Sequence, residues 1–408
     1  MINTLIIGSG PSGLMCANIL EKNKINYKLI EKNQELAKKL FITGGGRCNV
    51  TNVLDTRDFI NELTIKNKKF LYGSIANFGT KETIDFFKEK GVELITVEDF
   101  FYFPETQKSQ DIIEALLRDL NKGNIYLNET VKNIIKEDEH YLVKTNKRIL
   151  LAKNVVIATG GSSYPNTGST GDGMKFAKDL GIITIPFYPA ESSVKSQFIA
   201  NNKEVFQGIT LLDKIVKIAG KKDSYTGNIL FTHFGLSGPA ILKISEFCYH
   251  DLKDNKDVYL EFNISNYNLE EYLEIQLEFQ DSQKTLKSFV EFLTIKRLGH
   301  YILKSLKLDP AKKVRETSKK DLNRIKDLII NFKVKIDNTL AVEQAFVNGG
   351  GISLKELSNK SFEIKGYKGL YAVGETIDVH GPIGGFNITI AFSTGVSAAR
   401  SIINQKIT

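Results

Sequence analysis

A short, largely apolar run over Ile2–Ile7 is followed by apolar positions at helical spacing over Leu14–Lys22 and by a second apolar run over Tyr27–Ile30. The two runs are too short for helices and predict strands covered on both faces, with the amphipathic stretch as the helix between them. The alternation of strand and helix continues to about residue 185. Helices are expected over Thr80–Lys90, capped by Thr80 and closed by Gly91, and over Ser109–Asn121. Strand patterns follow at Ile125–Leu127, Val131–Ile135, Tyr141–Thr145 and Ile149–Leu151, the last three as a meander. Val155–Ala158 is apolar throughout and reads as a buried parallel strand. Pro186 and Pro189 mark a change: Ile215–Ala219, Ile229–Thr232 and Val258–Phe262 alternate like half-exposed strands, and a charged helical stretch covers 268–330. The first pattern resumes late, with a strand and turn over Gly369–Gly374 and a long helix over Ile388–Ile403. The expected division is 1–187 and 342–408 as one α/β domain, 188–267 with 331–341 as an inserted β part, and 268–330 as a helical part.

The junction between the first strand and its helix gives this pattern chemistry. Gly8-Ser9-Gly10-Pro11-Ser12-Gly13 places Gly8 in the tight turn, Gly10 where a backbone must approach a pyrophosphate, and Gly13 where helix meets strand. The helix start offers N–H groups and a positive dipole end to phosphates. Glu31 ends the second strand 18 positions after Gly13, where a carboxylate can bind adenosine ribose hydroxyls. A glycine turn alone also occurs in ordinary strand–helix connections. Strand, turn, helix and terminal acid together point to a dinucleotide.

The C-terminal part supplies a second set. A strand ends at Gly374, Asp378 is placed for ribitol hydroxyls, and Gly384 and Gly385 open a helix through Phe386, Asn387 and Ile388. A positive helix end there would stabilise the charge that a reduced flavin gathers on its pyrimidine ring, favouring FAD over NAD as the tightly held cofactor. Thr43 through Asn49 adds a glycine run with the cation Arg47 and the thiol Cys48, and Thr159-Gly160 ends the apolar strand where nucleotides sit in doubly wound sheets. No second GxGxxG is present for NAD(P)H, since Gly349-Gly350-Gly351 lacks the spacing and the later acid.

Charge changes the picture at one place. Residues 284–335 hold 15 Lys or Arg against 5 Asp or Glu, a net of +10, whereas the whole chain carries +8. Localised positive charge among Phe289, Phe292, Tyr301 and Phe332 attracts polyanions, nucleic acid first. The competing reading is a solvated lysine-rich helix face. Lys312, Lys313, Arg315, Lys319, Lys320 and Arg324 are the expected RNA contacts. The cysteines Cys16, Cys48 and Cys248 are too few and scattered for a disulfide framework, and the histidines lack metal-ligand spacing, so a reducing cytoplasm and no metal are expected. No uninterrupted apolar stretch reaches the roughly 18–20 residues of a membrane span.

Phe41 through Asn52, Phe231 through Ala240 and Asp378 through Asn387 together resemble the BaiN/YhiN-type NAD(P)/FAD-dependent oxidoreductases, along nearly the whole chain. The resemblance implies a Rossmann-like FAD-binding domain built from both ends, with an inserted β-barrel-like domain and a helical subdomain. It implies FAD contacts from Gly8, Gly10, Ser12, Gly13, Glu31, Lys32, Arg47, Cys48, Val131, Thr159, Asp378 and Asn387. It also implies reduction of activated C=C bonds, with members linked to unsaturated bile-acid ketones or to uridine in large-subunit ribosomal RNA. Such a reduction takes a hydride and a proton, with NAD(P)H as the expected reductant. Cys48, His380 and His233 are the candidate acids. Against these roles, Cys48 can be a small packed residue, His380 a structural hydrogen-bonding group and His233 a turn stabiliser. Three functions are open: a reductase of ribosomal RNA uridine, a reductase of small hydrophobic enones, and a non-catalytic RNA-binding flavoprotein.

Overall fold

The structure, a computed structural model, describes residues 1–405. The chain divides into two compact units: residues 1–188 together with those from 342 onward, and residues 189–341. The first unit is built on a seven-stranded sheet. Strands Ile2–Ile7, Tyr27–Ile30 and Ile125–Tyr126 run parallel side by side, and Ile2–Ile7 also pairs in parallel with Ile149–Ile157. That nine-residue strand serves two partners. Its outer end takes the antiparallel meander Tyr141–Thr145 and Val131–Lys136, while its inner end, Val155–Ile157, pairs in parallel with Leu370–Ala372. The polar pair Lys153-Asn154 interrupts the apolar pattern, so the sequence reads as two strands where the backbone makes one. The sheet centre is fully buried, with Leu5, Ile6, Leu29, Val155 and Val156 at 0% exposure. Each such side chain contributes about 1.5–3 kcal/mol relative to leaving it in water.

The first helix spans Pro11–Lys22, three residues earlier than the apolar spacing marks. Proline is well placed there, since its fixed φ suits the first turn and it lacks only an N–H that the helix would leave unpaired. The C-terminal helix spans Phe386–Asn404 and packs across the first helix. Contact is close because Gly395 carries no side chain; a Cβ there would lie 2.3 Å from the Ser12 carbonyl oxygen. The helix expected over Ser109–Asn121 ends at Leu117, and the one at Thr80–Glu89 is capped by Gly79, whose N–H donates to the Glu82 carboxylate at 2.9 Å. A small sheet of Thr51–Asn52, Leu94–Val97 and Phe101–Pro104 was not evident from the pattern, because strands of two to four residues show too little alternation.

The second unit holds another seven-stranded sheet, whose outermost strands Phe332–Ile336 and Asn338–Thr339 are consecutive in the chain. The sheet thus curls until its ends nearly meet, wrapped on helix Pro239–Lys253. Helices Leu269–Gln280, Leu286–Leu293, Lys296–Leu306 and Lys319–Ile330 occupy the charged stretch. They do not form a core of their own: Phe289, Ile302 and Ile325 are buried in the same cluster as Val258, Leu260 and Val334. The helical part is therefore one body with the β part, because amphipathic helices this short need the sheet's apolar face. Tyr188, expected at the start of the insertion, belongs to the first unit. Among the described residues no helix is long and apolar enough to cross a membrane.

Candidate cofactor site

Where the first strand ends, Gly8 adopts φ +104° and lies so close to the strand Ile149–Ile157 that a Cβ would stand 2.4 Å from the Ala158 carbonyl oxygen. A Cβ on Gly13 would stand 2.1 Å from the Gly8 carbonyl oxygen, whereas one on Gly10 would meet nothing within 4 Å. Gly8 and Gly13 thus set the turn, and Gly10 leaves open space. The helix that begins at Pro11 has no side-chain cap, and neither does the helix beginning at Phe386, whose preceding residue Gly385 has φ +80°. Both uncapped starts border a single cavity of about 470 Å³. That volume is within the range of small-molecule and cofactor sites, roughly 300–1,000 Å³. Two sets of N–H groups and two positive dipole ends at one cavity suit an anionic dinucleotide.

Of the residues singled out in the sequence, Gly8, Gly10, Ser12, Glu31, Lys32, Val131, Thr159, Gly160, Gly385, Asn387 and Ile388 border this cavity. Glu31 is nearly buried. One carboxylate oxygen accepts from the Ser9 N–H and Oγ (3.0 and 2.6 Å), the other from the Asn33 N–H and Nδ2 (2.8 Å each). Its four lone-pair sites are thereby engaged, so ribose hydroxyls would share or displace the Ser9 and Asn33 donors. Lys32 Nζ bonds Thr170 Oγ1 at 2.6 Å and Asp172 Oδ2 at 2.7 Å. Thr159 Oγ1 accepts from the Gly173 N–H, and the Gly160 N–H donates to Thr376 Oγ1. The Asn387 amide is turned back on Gly381, bonding both its N–H (2.9 Å) and its carbonyl (2.7 Å), which closes the loop ahead of the last helix.

Six expected contacts lie off the cavity wall, and their surroundings say why. Gly13 is behind the turn. Gly374 packs on Ser12, Phe386 packs on the Phe59 ring with centroids 4.7 Å apart, and the Asp378 carboxylate accepts from the Gly350 N–H at 3.1 Å. Arg47 is exposed and lays its guanidinium over the Phe103 ring, 4.6 Å from the centroid. Cys48 is at 0% exposure in the hydrophobic core, and burial pushes its thiol up to about 12. Such a thiol neither borders the cavity nor gives up a proton near neutrality.

The other two candidate acids are no better placed. His380 is buried beside Tyr188, the rings edge to face at 6.2 Å, and is not on the cavity wall. His233 is exposed in the second unit, on a turn held by Thr232, whose Oγ1 accepts from the Phe234 and Gly235 N–H groups.

Several bordering residues had no local signal. Lys39 Nζ bonds Glu375 Oε2 at 2.8 Å and Ser163 Oγ at 2.7 Å, an ion pair joining segments 336 positions apart. Glu375 lies in the turn Gly374–Thr376 that follows the strand Leu370–Ala372, which stops two residues earlier than the strand end expected at Gly374. Tyr164 sits on the wall in a left-handed conformation, and burial raises its phenol, so it stays protonated. Phe346 borders the cavity from the segment entering strand Val347–Ile352. Among the described residues no group of His, Cys, Asp or Glu is arranged to hold a metal.

A parallel sheet with glycine turns from both chain ends at one cavity defines a dinucleotide-binding protein of the Rossmann type. The family model described as the HI0933-like protein Rossmann domain matches residues 2–401, and the chain belongs to that family. It is 29% identical to a protein of Haemophilus influenzae named ribosomal RNA dihydrouridine synthase, over 98% of either chain. It is 25% identical to the 3-dehydro-bile acid delta(4,6)-reductase of Clostridium scindens, over 97% of this chain and 98% of the relative. The solved structure of a 3-ketosteroid delta1-dehydrogenase from Sterolibacterium denitrificans shares the fold, with TM-score 0.53 and 11% identity over 99% of each chain. The family and the names of these relatives support an oxidoreductase.

The residues present fit FAD. Glu31, Val131, the first glycine turn, Lys39, Glu375, Gly44 and Gly385 all border the same cavity and would be the residues to hold the cofactor.

Proposed function

We propose that this enzyme reduces the C5=C6 bond of uridine in large-subunit ribosomal RNA to dihydrouridine, consuming NAD(P)H. The observation that carries the choice of RNA is the net +10 of residues 284–335. The helices of that stretch turn their apolar residues to the core and leave Arg315, Lys319, Lys320 and Arg324 exposed. Lys312 and Lys313 are half-buried beside them, with Lys313 bonded to Gln283. The name of the Haemophilus influenzae relative supports the same substrate.

Bound FAD supplies the two-electron, hydride-type reducing power, and the saturated product needs one further proton. This chain's part is to bind, orient and provide that proton. Glu31, Lys39 and Glu375 hold polar hydroxyls in register, and the two uncapped helix ends favour negative charge at the wall. Tyr164, neutral and bordering the cavity, is the proton donor in place of Cys48, His380 and His233. Tyr164→Phe is expected to lower kcat about 10²-fold, within the range of general-acid catalysis, at unchanged FAD content. An unchanged kcat would exclude this donor.

The test of the substrate is gene deletion followed by mass spectrometry of large-subunit RNA. Loss of a dihydrouridine, restored by the wild-type gene, is the expected result, and an undiminished dihydrouridine level refutes the reading. A second reading, reduction of a small hydrophobic enone, is favoured by the bile-acid reductase relative and by the apolar Ile42 and Ile383 on the cavity wall. Turnover of free enones without RNA would support it.

A further inference from the structure

In the first unit Phe59, Phe87, Phe362 and Phe392 have no exposure, whereas Phe41, Tyr72 and Phe346 are exposed, and of these three Phe346 alone borders the cavity. Its ring is left 48% exposed. Aromatic side chains on the wall of a cavity are typical ligand contacts.

The ring is also held firmly. Ahead of it, the turn Val342–Gln344 is closed by the Ala345 N–H donating to the Val342 carbonyl at 3.2 Å. After it, Val347 enters a fully buried strand, and the buried Asn348 Oδ1 accepts from the Ser162 and Ser163 N–H groups at 2.7 and 2.8 Å. The Tyr164 N–H donates to the Glu343 carbonyl at 2.9 Å, so the segment that carries Phe346 is laced to the wall that carries Tyr164. A half-covered aromatic on a fixed backbone is preorganised to take a flat partner at little further entropic cost.

We propose that Phe346 stacks on the planar ring of the substrate, fixing its plane at the cavity; this rests on the uridine reading above. A uridine in folded RNA must leave its base stack to reach a cavity, and an aromatic face at the destination replaces the stacking it loses. An uncharged ring suits uracil, which is neutral, and leaves hydrogen bonding to the polar wall. The groups placed for FAD are glycine turns, helix ends and ion pairs, and Phe346 is none of these.

The test uses FAD-loaded enzyme carrying Phe346→Ala, Phe346→Leu, Phe346→Tyr or Phe346→Trp. The substrate is protein-free large-subunit RNA from a strain lacking the gene, and the readouts are dihydrouridine formation, FAD stoichiometry and the flavin absorption spectrum. Phe346→Ala and Phe346→Leu are expected to raise KM roughly ten- to a hundredfold, the range of base–aromatic stacking. FAD content and kcat should change little, and Tyr or Trp should keep KM near wild type. A leucine variant matching the tyrosine variant overturns stacking in favour of simple apolar packing. FAD loss in Phe346→Ala overturns it by placing the ring on the cofactor. A wild-type enzyme that neither binds nor modifies the RNA overturns the uridine reading together with this one, whereas an active wild type with unchanged KM in all variants overturns stacking alone.

Discussion

Cys48 shows how far a residue's neighbours in sequence can mislead about its chemistry. Its place beside Gly44-Gly45-Gly46 and Arg47 invites a reactive thiolate, yet the side chain is in the core with its thiol pushed up to about 12. At pH 8, native-state alkylation by iodoacetamide should be about a thousandfold slower than in urea, where the thiol returns to an ordinary value and the thiolate fraction rises accordingly. Cys48→Ala should keep FAD content and turnover within about twofold, because alanine meets the same backbone φ of +61° and removes one buried sulfur. A hundredfold loss of kcat with FAD retained would return the cysteine to the mechanism. At this scale the legible residues were those defined by short spacing: Gly8, Gly10 and Glu31 follow from one strand–turn–helix unit. Lys39 with Glu375, and Phe346, were illegible because their meaning depends on chain segments that meet only in the fold. Burial, which disqualified Cys48 and His380, is likewise a property of the folded chain and of no motif.

Elements were legible where their periodicity ran long, as in the first helix and the last, and blurred where a polar pair crossed a strand, as Lys153-Asn154 does. Two predictions belong here. Gly13→Ala would drive a methyl to 2.1 Å from the Gly8 carbonyl oxygen, within a turn already pressed on Ala158. Overpacking of this kind costs about 1–3 kcal/mol, so the variant should unfold at lower urea and purify without FAD. Retention of the yellow cofactor at full occupancy would contradict this account of the turn.

The second concerns the sheet of the inserted unit. Glu261 is caught between Lys217 Nζ at 2.7 Å and Lys333 Nζ at 3.3 Å. Burial pulls its carboxyl upward, but the two ammonium groups together hold it below the ordinary value of 4.5. A lowered folded-state value means that the stabilisation is complete above 4.5 and fades as pH falls through the lowered value. Glu261→Gln should therefore cost about 1 kcal/mol at pH 7, modest because both lysines are half exposed, and the difference between the urea midpoints should shrink as the pH falls below 4.5. Midpoints that differ equally at pH 7 and pH 3 would show that the pair contributes through packing alone.

For the whole molecule, charge is unevenly shared: the inserted unit carries the cationic segment while the remainder holds the cofactor site. Replacing Lys312, Lys313, Lys319 and Lys320 with alanine should weaken RNA binding and flatten its dependence on salt, by a slope of about 0.7–0.9 for each lost phosphate contact. FAD content and the reduction of the flavin by NAD(P)H should be untouched. Equal RNA affinity at low and high salt in wild type and variant would assign the lysines to solvation only. The strand Ile149–Ile157 carries another implication. Its inner half waits for Leu370–Ala372, and the first helix waits for Phe386–Asn404. During synthesis, then, the early part of the chain leaves the ribosome with an unfinished sheet edge, and the intervening unit is complete before that edge is closed. Cofactor capture becomes one of the last events of biogenesis, and a nascent chain stalled before residue 370 would emerge colourless and prone to association through its open strand.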